Sequence, residues 1–201
     1  TLIDKQPYTD IKKCRDHALI VLSKKKANVL LKHIAEHNKK GCSILSRGFD
    51  TRNCTQSVGQ TLGFYHSQKK QIVICCNKAI GYEALENVIT HELVHAYDFC
   101  RFNNLWYCKA RACSEVRAYT IAGSCYDPSV LGIFNNDRKE CLRQHAIAST
   151  RPACSSARDD VDSVYDLCHN DHTPVEAVTR NPSNAEFHPS TLSDRDKRFR
   201  S

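Results

Sequence analysis

Five consecutive residues, His91-Glu92-Leu93-Val94-His95, place two imidazoles and a carboxylate within one turn of chain. On a helix, positions i and i+4 share a face, so His91 and His95 can both address one metal ion. Glu92 borders that face and can reach a water held there, which is the place of a general base. Zinc suits this pattern, since a catalytic zinc takes three protein ligands and keeps one position open. The competing reading is a pair of solvated helix histidines. Around the motif, Leu85, Val88, Ile89, Leu93 and Ala96 recur at helical spacing, so the required helix is predicted.

Two acids compete to be the third ligand. Glu115 lies 20 residues after His95, in a stretch that reads as a second helix, as in the His-His-Glu class of zinc proteases. Asp98 stands three residues past His95, where its short side chain lies a turn beyond the metal. It is better placed to accept from a ligand imidazole or to make a helix-end contact. Glu115 is the favoured ligand. Tyr119, Tyr126 and His145 are candidates for stabilising an oxyanion.

The segments Thr90-His-Glu-Leu-Val-His-Ala-Tyr-Asp-Phe-Cys-Arg101, Ala112-Cys-Ser-Glu-Val-Arg-Ala118 and Ala122-Gly-Ser-Cys125 carry a resemblance, extended by Gln71-Ile-Val-Ile-Cys75 and Cys168-His-Asn-Asp-His-Thr-Pro174. In them the chain resembles the mitochondrial inner-membrane metalloproteases that double as ATP synthase assembly factors, whose animal members are also described as Ku-binding proteins. Residues 52–60 depart from the pattern expected of many relatives, with one cysteine, Cys54, in place of a close pair. The resemblance implies a zinc metalloendopeptidase with Glu92 as base and His91, His95 and Glu115 on the metal. It implies a peripheral site on the intermembrane-space side of the inner membrane. The implied substrate is the precursor of a mitochondrially encoded ATP synthase membrane subunit, clipped at its N-terminal extension. Two other functions compete: a non-proteolytic assembly chaperone for the same subunit, and a Ku-binding accessory of DNA repair.

Composition bears on these alternatives. Twelve cysteines without any Cys-x-x-Cys pair argue against a zinc ribbon or a thioredoxin-like motif, and for disulfides in an oxidising compartment. Buried free thiols in a cytosolic protein are the alternative. Cys75 and Cys76 adjoin in an apparent strand, so they should face opposite ways and take different partners. Disulfides at Cys100 and Cys113, to each other or to neighbours, would fix the second helix against the first. The first residues lack the apolar core of a signal peptide, and no run approaches the roughly 18–20 apolar residues of a membrane span. Asn53-Cys54-Thr55 is a lone glycosylation sequon. The net charge of +7 is spread along the chain, which suits an anionic lipid surface. No finger, recognition helix or aromatic stripe points to nucleic acid.

The expected fold is α+β: a zincin-like, disulfide-rich domain over residues 10–170 and an irregular tail over 171–201. A single long helix is predicted over residues 16–40, with Ala27, Leu30, Leu31 and Ile34 on one face and Gly41 ending it. Its lysines form a solvated face or, less plainly, touch anionic lipid. Strands and turns follow to residue 77. Residues 71–76 read as a sheet edge that could receive a substrate strand, or as an ordinary buried strand. Two further helices are predicted over residues 137–149 and 157–168.

Overall fold

The computed structural model describes residues 7–39, 42, 45, 47–55, 61–66, 68–79, 81–102, 105, 107–125, 132–134 and 137–176. It is α+β, with six helices and a small mixed sheet among these residues. The chain divides into two compact units, Thr1–Tyr97 and Asp98–Ser201, and the division falls inside one helix.

In the first unit, α1 (Ile11–Ser23) begins where the Asp10 carboxylate accepts from the Lys12 N–H at 2.7 Å. It buries Cys14, Ala18 and Val21, a helical stripe. α2 (Lys25–Lys39) buries Ala27, Leu30, His33 and Ile34. The single helix expected over 16–40 is therefore two, and the first begins five residues earlier. The break is Lys24, whose backbone is extended at φ −69° and ψ 153°. Its ammonium pairs with the Glu86 carboxylate and sits 4.6 Å from the centre of the Tyr82 ring. Helical spacing continues through this point in the sequence, so only the tertiary contact marks the break.

β1 (Phe49–Arg52), β2 (Gly63–His66) and β3 (Gln71–Cys75) form a sheet in the order β1-β3-β2, with β1 parallel and β2 antiparallel to β3. The edge expected at residues 71–76 is thus the central strand, paired on both sides. Ile72, Val73, Ile74 and Cys75 are all buried, as a strand covered on both faces must be. Cys75 and Cys76 do take separate partners, Cys54 and Cys14. Arg15 on α1 donates from Nε to Thr51 Oγ1 on β1 at 3.2 Å.

α3 (Gly81–Arg101) buries Leu85, Ile89, Leu93 and Val94 and carries the histidine motif. Gly63 of β2 meets it so closely that a Cβ there would stand 2.9 Å from Val88 Cγ2 and 3.0 Å from the Val73 carbonyl. Val88 lies one turn before His91, so this close approach seats the motif-bearing part of α3 on the sheet.

The second unit is helical. α4 (Cys108–Ala122) ends at Gly123, left-handed at φ 86°. α5 (Arg138–Thr150) is capped by Asp137, which accepts from the Glu140 N–H, and α6 is Ala157–His169. These two lie within two residues of the predicted spans. Ala112, Val116, Leu142, Ile147, Val161, Val164 and Tyr165 build the core between them. Cys108–Cys154, Cys113–Cys168 and Cys125–Cys141 cross-link it. Cys42 and Cys100 are also disulfide-bonded, and no cysteine is free. Cys113 thus ties α4 to α6, where a link toward the motif helix was one expectation. No described helix is long and apolar enough to cross a membrane. Of the expected tail, residues 177–201 lie outside the described residues.

Candidate functional site

The motif does what its spacing promises. Nε2 of His91 and Nε2 of His95 converge to 3.0 Å, with ring centres 4.6 Å apart and ring planes at 84°. Two nitrogens bound to one tetrahedral ion would stand about 3.3 Å apart, given bonds of roughly 2.0–2.1 Å. The pair therefore needs only a few tenths of an ångström to accept a metal. The ligand atoms of His91, His95 and Glu115 all lie within 4.8 Å of one another. Both histidines are partly exposed, whereas Glu92 and Glu115 are buried at 5% and 8% exposure. Two imidazoles and one carboxylate form a donor set compatible with a divalent cation, open to solvent on the histidine side.

Asp98 is engaged elsewhere. Both of its oxygens accept from Nε of Arg117, at 3.1 and 3.0 Å, and both residues are fully buried. These bonds run from the last turn of α3 to the middle of α4. Tyr119 donates to or accepts from Ser149 Oγ at 2.7 Å, and its ring centre lies 5.3 Å from that of His145. Tyr126 lies outside the described residues. Cys125, Cys141 and His145 form a second close group, but the two sulfurs are joined in a disulfide and cannot serve as thiolate ligands.

Sequence reasoning assigned no role to Arg101, Arg117 or Asp171. Asp171 joins both arginines, at 2.7 Å from an Arg101 Nη and 2.9 Å from an Arg117 Nη. Although burial opposes its charge, the two guanidiniums hold its carboxyl well below the usual carboxylate range. A signal existed. Arg117 sits among Ala112, Cys113, Val116, Ala118 and Ile121, in the mostly apolar part of its helix, so its charge needed an internal partner.

Residues 12–176 match the Peptidase M76 family. The chain belongs to that family. Among relatives, it is 31% identical over 170 residues to the mitochondrial inner membrane protease ATP23 homolog of Danio rerio, covering 79% of this chain and 66% of that protein. It is 30% identical over 205 residues to the homolog of the same name in Homo sapiens, with coverages of 96% and 80%. The mitochondrial inner membrane protease ATP23 of Lodderomyces elongisporus is 31% identical over 179 residues, with coverages of 83% and 73%. The chain thus spans about two thirds of the zebrafish relative's length. No solved structure matches. Within this Peptidase M76 chain, the matched region contains every residue discussed above as a candidate ligand, base or buried charge.

Proposed function

We propose that the chain is a zinc metalloendopeptidase, with zinc held by His91, His95 and Glu115 and with Glu92 as general base. The observation that carries this reading is the convergence of three ligand atoms within 4.8 Å in a member of a peptidase family. When bound, zinc supplies Lewis acidity toward water and the scissile carbonyl. The protein's own residues do the rest. Glu92, adjoining His91 and nearly excluded from solvent, takes the proton of the attacking water and passes it to the leaving amine. The neutral imidazoles present their Nε2 atoms together, and the Glu115 carboxylate balances one unit of the ion's charge.

The relatives' names extend the proposal to the mitochondrial inner membrane. There the chain would work peripherally from the intermembrane-space side, a compartment that suits its disulfides. The sequence resemblance supplies the proposed substrate, the N-terminal extension of an ATP synthase membrane subunit precursor, and an accompanying part in assembling that enzyme.

Glu92→Gln tests the mechanism. The amide keeps the size and hydrogen bonding of the side chain and cannot take up the proton. Peptide cleavage should fall by about 10²–10⁴ while one zinc per chain remains. Cleavage at the wild-type rate, or a wild-type protein that binds no zinc, overturns the reading. Subunit assembly that survives the change while clipping stops would show the two activities to be separable.

A further inference from the structure

Four charges are buried together in the second unit, and they join the last turn of α3 to the middle of α4 and to residues 171–173. Arg117 stands two residues after Glu115 on α4, and Asp98 three residues after His95 on α3. Arg117 spends every arm of its guanidinium. Nε donates to Asp98, one Nη donates to the Asp171 carbonyl and meets its carboxylate at 2.9 Å, and the other donates to the Thr173 carbonyl. Arg101, near the end of α3, donates to Asp171 Oδ2 at 2.7 Å and to Thr173 Oγ1 at 3.1 Å. Thr173 Oγ1 in turn donates to Asp171 Oδ1 at 2.6 Å. Two positive and two negative charges balance, with exposures of 0% for Asp98 and Arg117, 7% for Asp171 and 8% for Arg101.

We infer that Arg117 is a positioning residue for Glu115, and that Asp171–Thr173 is the strap that locks it; this rests on the metal site proposed above. Apolar packing excludes water but is not directional, so it leaves a helix free to turn slightly about its axis. A planar guanidinium bonded to three separate acceptors permits no such turn. With side chains reaching about 5–6 Å from the axis, a 20° rotation of α4 would swing the Glu115 carboxylate by about 2 Å. Misplacement on that scale ruins a ligand set. Two bridges, Cys108–Cys154 and Cys113–Cys168, hold α4 before Glu115. Arg117 and Asp171 lie one turn further along from Cys113 and Cys168, and supply the fixed point that α4 needs beyond Glu115. Buried ion pairs contribute little net stability compared with apolar groups of the same shape, so their geometry is the more telling property.

The test uses the full chain with its disulfides intact and zinc as the probe. Zinc affinity is measured by chelator competition, and kcat and KM on one peptide, for the wild type, His91→Ala, Asp171→Asn, Arg117→Lys and Thr173→Val. Circular dichroism and thiol counting select variants that remain folded and oxidised. Asp171→Asn and Arg117→Lys should each lose about 10–100-fold in zinc affinity, with a matching fall in kcat and little change in KM. Thr173→Val keeps the backbone acceptor and should lose only a few-fold. If Arg117→Lys does not fold, Asp171→Asn, braced by the Cys113–Cys168 bridge, decides the matter. Wild-type zinc affinity and kcat in folded Asp171→Asn overturn the inference alone, provided His91→Ala has lost the metal. Absence of zinc from the wild type overturns the metal site itself.

Discussion

The two units solve the same problem, fixing the place of a polar side chain on a packed helix, by different means. In the first, His91 and His95 stand on a helix whose buried face is Leu85, Ile89, Leu93 and Val94, and Gly63 clears the way for Val88 one turn before the motif. Position follows from shape and from the 3.6-residue period. In the second, Glu115 stands on a helix with eleven of its fifteen residues buried, an arginine among them. Only Lys109 of it is exposed, so little of the sequence tells inside from outside, and bonds add the orientation: three disulfides and a shared carboxylate, Asp171. A unit ordered mainly by shape and a unit ordered mainly by bonds should fail differently when each kind of force is removed.

Reduction is the harshest way to probe that difference. Each bridge stabilises by about 2–4 kcal/mol against a total that is typically 5–15. A dithiol reductant should therefore unfold the second unit at temperatures where the oxidised chain is stable. Hydrogen exchange should show α4 to α6 losing protection before the β3 and α3 amides of the first unit. Equal protection in both units after complete reduction would erase the distinction. Acid acts next. Asp171 titrates below the ordinary carboxylate range in the folded chain, so its contribution is fully present above the unfolded value near 4. That contribution is lost as pH falls through the folded one. Protonation leaves Arg101 and Arg117 short of a counter-charge, at a cost of about 3–5 kcal/mol. In melts between pH 6 and pH 2, Asp171→Asn should start less stable than the wild type and show a flatter acid dependence. Parallel curves would contradict the assignment. The smallest effect comes from a change in the first unit that alters shape alone. Gly63→Ala forces a methyl against the Val73 carbonyl and Val88, and should cost about 1–3 kcal/mol by chemical denaturation.

Legibility in the sequence follows the same division. The His91 to His95 helix, the last two helices and the separate partners of Cys75 and Cys76 all follow from local periods of 3.6 and 2, which a linear chain displays. The break at Lys24 did not, because it depends on Glu86 and Tyr82 some sixty residues away. Nor did the central place of β3. Five residues of β-rich chain look alike at an edge and in the middle, and only the burial of Ile72 to Cys75 on both faces tells them apart. Glu115 could be nominated from its distance after His95. The Asp98–Arg117–Asp171 cluster was hidden, although all three residues lie in segments that had drawn attention, since no local rule pairs residues 98, 117 and 171.

With residue 75 tied to 54 and its neighbour 76 tied to 14, the oxidised chain is no longer a single line from one end to the other. Followed from its beginning, it branches at Cys14, and from there to Cys76 every path is doubled. A channel just wide enough for one extended strand would pass the reduced polypeptide but would jam on the oxidised one between Cys14 and Cys76. While these two bonds are closed, the chain cannot be drawn through such a channel as a single strand.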